Sequence, residues 1–278
     1  MKETARHTWK DAIAVIGAGN MGAALAAGFC RRLGVDPKKV FVYDTDSKKT
    51  ERLRKELGLT VASTPAQAVE RARIVVLAIK PKLVDPVLKS LRRPLAARST
   101  PALVVSVAAG VTVSELRSAA GKKPHIVRVM PNLACSIGVG TSAICGADPS
   151  DVALVEQMFQ TVGGTVVLGS EVEMDAATAL GASAPAFIFH IVEALADGGV
   201  KMGLTREQAL SMATQMTLGS AELIKQTGKH PAELKDMVAS PGGTTIAGIH
   251  VLEKGAVRGA MMSAIEAAAL KAAQRRQK

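Results

Sequence analysis

Up to Leu168 the chain alternates short apolar runs with longer stretches of helical periodicity. The runs Ile13–Ile16, Lys39–Tyr43, Ile74–Ile79, Leu103–Val107, His125–Met130, Ser136–Cys145 and Gly164–Leu168 predict strands. Between them, an alanine-rich segment ending near Cys30, Ser47–Leu57, Thr64–Arg71, a segment up to Lys89, Val113–Ala120 and Pro149–Phe159 predict helices. Thr64-Pro65 pairs an N-cap residue with proline at the first helical position. Apolar strands separated by helices at short intervals predict a parallel sheet covered on both faces.

After Gly169 strand character disappears. Helices are predicted at Val172–Leu180, Pro185–Met202, Thr205–Thr227, Pro231–Met237, Thr244–Lys254 and Val257–Gln274. Consecutive helices of this kind need one another, or a partner chain, to bury their apolar faces. The chain is therefore expected to divide into an α/β domain, residues 1–170, and an all-helical domain, residues 171–278.

Composition narrows the picture. The 278 residues are 48% hydrophobic and 21% charged, as in a soluble globular protein with one large core or two domains. Aromatics are only 3%, so the core must be built from Ala, Val, Leu, Ile and Met. The net charge of +11 permits nucleic-acid binding, but the basic pairs are scattered, with no basic block interleaved with aromatics. A solvated basic surface that attracts anionic ligands is the better reading.

Three cysteines without a CxxC pair signal neither a disulfide framework nor a zinc site, and no metal is expected. Met1–Lys10 lacks the apolar core of a signal peptide. The most apolar helical candidate, Ala184–Val200, contains His190, Glu193 and Asp197, so no membrane span is expected. A soluble cytoplasmic protein is the default.

Candidate chemistry begins at Gly17, Gly19 and Gly22, between the first strand and first helix. In such a strand-turn-helix unit Gly17 makes the turn, Gly19 lets a pyrophosphate approach the backbone, and Gly22 lets helix and strand pack closely. The N–H groups around Asn20 and Met21, at the helix start, suit phosphate. Asp44 ends the second strand where an acidic residue would bind an adenosine ribose and favour NADH. Ser47, Lys48 and Lys49 would instead approach a 2′-phosphate if Asp44 points away. Far along the chain, Ser240-Pro241-Gly242-Gly243 runs into a helix at Thr244. Its exposed N–H groups suit a small carboxylate, and the hydroxyls of Ser240, Thr244 and Thr245 can donate. Read without further context, the same stretch is simply a capped helix start.

Taken together, several segments resemble the pyrroline-5-carboxylate reductase family. They are Ile16–Gly22, Ala78-Ile79-Lys80-Pro81, Ser106–Gly110, Arg128-Val129-Met130-Pro131-Asn132, Glu193–Val200 with Met202–Leu204, Leu234-Lys235-Asp236 and Ser240–Gly248. The resemblance covers nearly the whole chain. It implies a Rossmann-type dinucleotide-binding domain followed by a helical domain that interlocks with a two-fold mate, the dimers often assembling into decamers. The reaction implied reduces 1-pyrroline-5-carboxylate to L-proline, with NADPH expected and NADH possible.

The resemblance also assigns residues. Ala78, Lys80 and Pro81 would lie beside the nicotinamide and its ribose, although Pro81 read structurally merely stops a strand. The Asn132 amide would bond cofactor or neighbouring backbone. Ser240 would lie near the substrate carboxylate and Thr245 would hydrogen-bond the ring nitrogen, while Gly242, Gly243 and Thr244 enter from the turn itself. Three departures stand out: Leu133-Ala134 replaces the usual Thr-Pro, Ala184 a common glycine, and Phe187 a common tyrosine. Phe187 is expected in the core. His125, His190 and His250 are expected to be structural, with no carboxylate partner evident in sequence.

Two other classes compete. One is another Rossmann reductase with a helical second domain, acting on a hydroxy acid or a different imine; the hydroxy-acid enzymes would need a lysine with an asparagine a turn later in that domain, and the helical half contains no asparagine. A non-enzymatic nucleotide-binding scaffold would bind dinucleotide without turning over the imine.

Overall fold

The computed structural model describes residues 9–276. Its first unit is built on an eight-stranded sheet in the order β3-β2-β1-β4-β5-β6-β7-β8. The strands are β1 Ile13–Ile16, β2 Val40–Tyr43, β3 Thr60–Val61, β4 Ile74–Leu77, β5 Leu103–Ser106, β6 His125–Pro131, β7 Gly140–Gly146 and β8 Gly163–Val167. The helices between them are α1 Asn20–Arg31, α2 Ser47–Leu57, α3 Pro65–Arg71, α4 Val84–Ala97, α5 Val113–Ala120 and α6 Pro149–Phe159.

Strands β1, β4 and β5 are buried at every position, which is why they read as continuous apolar runs rather than alternating ones. Alternate residues face opposite layers. Ile13, Val15, Val42, Ile74 and Val76 pack with Leu25 and Phe29 of α1 and Phe159 of α6. Ala14, Ile16, Val75 and Leu77 pack with Leu88 and Leu91 of α4 and Leu116 of α5.

The first unit departs from the sequence reading in four places. Strand β7 runs antiparallel to β6, so the sheet is mixed rather than parallel. The segment expected as a strand from Ser136 begins instead as a 3-10 turn, Leu133–Ile137, and pairing starts only at Gly140. Strand β3 is two residues long, too short to carry a period. Helix α4 continues past Lys89 to Ala97 with Pro94 inside it. An interior proline costs about 3 kcal/mol. Buried Leu91 and Leu95 gain about 2 kcal/mol each when carried into the core, which is enough to keep the helix going.

A single helical run, Glu171–Lys201, follows β8. It contains α7 Met174–Ala177, a π-helical turn Thr178–Ser183, and α8 Ala184–Lys201. By length and composition alone it is apolar enough to cross a membrane, although its later part carries His190, Glu193 and Asp197. Beyond it lie α9 Arg206–Thr227, α10 Pro231–Met237, α11 Thr244–Lys254 and α12 Val257–Arg276. Residues Ser183–Ala267 form a second compact unit by their mutual contacts.

Within that second unit α8 and α9 meet through small residues. Ala196, Ala209 and Ala213 are buried between them, flanked by Val192 and Val200. Much of the remaining apolar surface is open, including Phe189, Leu195, Met212, Met216, Leu218 and Leu223. Phe187 is half-buried rather than core. Ala184 starts α8 without positive φ, so the alanine there is unstrained.

Candidate dinucleotide and carboxylate sites

The loop after β1 is shaped by two close approaches. Gly17 has φ +105°, and a Cβ there would lie 2.3 Å from the Ala78 carbonyl oxygen; its N–H donates to Tyr43 O at 2.8 Å. At Gly22 a Cβ would lie 1.9 Å from Gly17 O, so α1 is packed directly on the loop. Gly19 is different. Nothing lies within 4 Å of the position its Cβ would take, and it caps α1 without a side-chain hydrogen bond. Backbone N–H groups at Asn20 and Met21 thus stand beside an open approach at the positive end of a twelve-residue helix. This opening fits a pyrophosphate.

Asp44, just beyond β2, holds this loop. Its Oδ2 accepts from Ala18 N at 2.7 Å and its Oδ1 from Asp46 N at 2.9 Å. Asp46 in turn caps α2 through Lys48 N and sits 3.6 Å from Lys49 Nζ. Ser47 and Lys48 are exposed on the first turn of α2. Ala78 lies against the glycine loop, with its N–H donating to Ile16 O at 2.8 Å. Lys80 and Pro81 follow on the surface, Pro81 opening a 3-10 turn, and the Lys80 ammonium makes no bond among the described residues. The structure thus gathers Gly17, Gly19, Asn20, Met21, Gly22, Asp44 and Ala78 at the carboxyl end of β1, β2 and β4.

Asn132 is committed to backbone. Its Oδ1 accepts from Ala134 N at 3.1 Å and Thr141 N at 3.2 Å, and its Nδ2 donates to Gly181 O at 2.9 Å. The Leu133-Ala134 departure is thereby accommodated: Ala134 N is the group Asn132 caps, and it would be missing if proline stood there.

In the second unit, Ser240–Gly243 is a type II turn with Pro241 and Gly242 at its centre. Gly242 has φ +66°, and Gly243 N donates to Ser240 O at 3.1 Å. Gly243 caps α11 with no side-chain bond, leaving the N–H groups at the start of that helix unpaired by any cap. Thr244 is exposed and Thr245 half-buried on this first turn.

The sequence reading passed over a buried ion pair. Arg128, 2% exposed, donates from Nη1 to Glu171 Oε1 at 2.9 Å, and the same oxygen accepts from Val113 N at 2.8 Å. One charged residue in an otherwise apolar strand was the available signal. Burial pushes the nearby Cys145 thiol up, with Glu171 adding to the shift and Arg128 opposing it. His125 also has a partner after all, Asp151 Oδ2 at 2.6 Å, supplied by α6 from 26 residues away. Asp148 completes a His-Asp-Asp cluster, but its carboxylate is occupied in capping α6 through Ser150 and Asp151.

Comparison with known proteins places this geometry. Residues 171–275 match the family model described as pyrroline-5-carboxylate reductase dimerisation, and residues 12–110 match one described as NADP oxidoreductase, coenzyme F420-dependent. The pyrroline-5-carboxylate reductase of Methanosarcina acetivorans is 41% identical over 91% of this chain and 93% of its own length. That of Escherichia coli is 36% identical over 91% and 94%. Among solved structures, the pyrroline-5-carboxylate reductase from Coxiella burnetii superimposes with a TM-score of 0.90 at 32% identity, covering 95% of this chain and 98% of that one. The Plasmodium falciparum enzyme, solved with NADP bound, gives 0.83 at 30% identity, covering 97% and 99%. The open apolar faces of the second unit are those of a dimerisation domain, and the first unit has an NADP(H)-binding fold. The chain belongs to the pyrroline-5-carboxylate reductase family.

Proposed function

We propose that this chain carries out the family's reaction through the two features above: it reduces 1-pyrroline-5-carboxylate to L-proline with NAD(P)H, the last step of proline biosynthesis. The observation that carries the reading is the pairing, in one chain, of an uncapped α1 start behind Gly19 and an uncapped α11 start behind Gly243. Each leaves unpaired N–H groups at a helix N-terminus, one set for a pyrophosphate and one for a small carboxylate.

When bound, the reduced nicotinamide supplies a hydride. The backbone N–H groups of Asn20 and Met21 bind the pyrophosphate, and Asp44 keeps their loop in place by accepting from Ala18 N. Ala78, Lys80 and Pro81 border the nicotinamide end. Ser240 and the N–H groups behind Gly242 and Gly243 hold the substrate carboxylate, with Thr244 beside them. Thr245 donates its hydroxyl toward the ring nitrogen. The cyclic imine is basic enough to take up a proton and react as its iminium, so the chemistry requires orientation more than a dedicated acid. The imine carbon gains hydride, the nitrogen keeps its proton, and the product is the secondary amine.

NADPH is the preferred reductant in this reading. Both Asp44 oxygens are engaged by backbone N–H groups, and Lys48 and Ser47 stand exposed nearby for a 2′-phosphate. The working form is a dimer interlocked through the helical unit, with decamers as the higher assembly, acting in the cytoplasm. The test is steady-state turnover of 1-pyrroline-5-carboxylate with each dinucleotide. Proline formation with kcat/KM higher for NADPH is expected. Absence of turnover overturns the function, and an NADH preference of about tenfold, or 1.4 kcal/mol, overturns the cofactor assignment.

A further inference from the structure

Asn132 closes β6, and its side chain makes two kinds of bond that do different work. Through Oδ1 it ties the 3-10 turn after β6 to the first residues of β7, by accepting from Ala134 N and Thr141 N. Through Nδ2 it reaches 49 residues along the chain to the carbonyl of Gly181. Gly181 lies in the π-helical turn Thr178–Ser183, set between the α-helical segments α7 and α8. A π turn interrupts the i→i+4 ladder and frees carbonyl groups that an uninterrupted helix would pair. Gly181 O in particular has Pro185 four residues on, which carries no N–H to give, and Asn132 supplies it with a donor.

The turn is also the point from which the chain continues into Ser183 and the helical unit. A single amide thus joins the loop at the carboxyl end of β6 to the last turn before that unit. The dinucleotide loop has its own support in Asp44, whose bonds run to Ala18 N and Asp46 N.

We propose that Asn132 is a positioning residue for the imine reduction: its bond to Gly181 O holds the π turn in register with the end of β6, and its side chain is not a ligand of the dinucleotide. The inference rests on the reaction proposed above. Side-chain replacement can separate the two kinds of bond. Asn132→Asp keeps an oxygen to accept from Ala134 N and Thr141 N, and puts a second oxygen where Gly181 O needs a donor.

In the apo protein, amides of residues 178–184 in Asn132→Asp are expected to exchange about tenfold faster than in the parent. Dissociation constants for NADPH, read by fluorescence, are expected to stay within about twofold. Imine turnover should show kcat lowered about tenfold, with a much smaller change in KM for NADPH. An NADPH dissociation constant raised about tenfold makes Asn132 a cofactor ligand and overturns the proposal. Faster exchange with unchanged kcat reduces the bond to a structural one and overturns it as well. Should Asn132→Asp fail to fold, Asn132→Ser carries the same comparison, since its hydroxyl can still accept from Ala134 N but cannot reach Gly181. A parent protein that does not turn over the imine fails the functional reading instead, and the exchange and binding measurements still decide whether the bond holds the turn.

Discussion

Arg128 and Glu171, 43 residues apart in sequence, meet at 2.9 Å between β6 and the first turn of the helical run. The arginine is almost fully enclosed while the glutamate keeps some access to water. Because the same carboxylate oxygen also accepts from Val113 N, one side chain joins the start of α5, the middle of β6 and the segment that follows β8. Removing one partner of such a pair leaves an uncompensated buried charge, whereas replacing both with apolar groups is often tolerated. Glu171→Ala is expected to lower unfolding free energy by about 3 kcal/mol, and the double replacement Arg128→Met with Glu171→Leu to recover most of it. Urea denaturation of the three proteins checks this. A Glu171→Ala protein with the parent's midpoint would show that the pair contributes nothing.

The glycines of the first loop should separate by mechanism. Gly22→Ala places a methyl 1.9 Å from the backbone oxygen of Gly17, where no side-chain adjustment can relieve it. It should unfold the loop or the whole unit. Gly19→Ala meets nothing within 4 Å and should leave the melting temperature of the apo protein close to the parent's. Its methyl does occupy the approach to the α1 N-terminus, so NADPH affinity should fall about tenfold or more. Thermal melts and fluorescence titrations distinguish the two. Intact NADPH affinity in Gly19→Ala would move the pyrophosphate elsewhere.

Local signals carried much of the architecture. Thr64-Pro65 and Gly243-Thr244 marked helix starts at the positions observed, because an N-cap and a prolyl or glycyl neighbour act within one turn. What stayed hidden depends on long-range contacts. The extension of α4 through Pro94 follows from leucines buried against the sheet, and the reversal of β7 from pairing that no local pattern encodes. The same limit applies at the candidate site. Gly17, Gly19 and Gly22 were legible from spacing, but the engagement of Asp44 with Ala18, of Asn132 with Gly181 and of His125 with Asp151 joins segments 26 or more residues apart.

Cys30 gives the chain an alkaline liability. Burial pushes its thiol up to about 11, with Arg31 opposing and Asp36 adding to the shift. In the unfolded chain the same thiol ionises near its ordinary value of about 8.5. Between these values the unfolded state sheds the proton first, so stability present below about pH 8.5 is lost as pH rises toward 11. Melting temperatures of the parent and Cys30→Ala measured from pH 8 to 11 should diverge in slope, with the parent falling more steeply. Native Cys30 should likewise react slowly with a thiol reagent at pH 8, since the thiolate is the reactive form. Parallel melting curves and rapid labelling would contradict both statements.

The turn before α11 offers the sharpest test of the carboxylate site. Gly242, at φ +66°, occupies the position of a type II turn that a residue with a Cβ enters only with strain, although nothing lies within 4 Å to clash with a methyl there. Gly242→Ala is therefore expected to cost about 1 kcal/mol through backbone conformation. It should also raise KM for the imine, by shifting the N–H groups that follow. Thr245 lies on the first turn of α11, and losing its hydroxyl changes no backbone and no cap. For Thr245→Ala, kcat/KM for 1-pyrroline-5-carboxylate should fall about tenfold or more, with NADPH affinity and melting temperature near the parent's. Were the hydroxyl to act on the ring nitrogen as the reaction proceeds, the loss would appear mainly in kcat. A change confined to KM would assign Thr245 to ground-state binding, and unchanged kcat/KM would remove it from the mechanism.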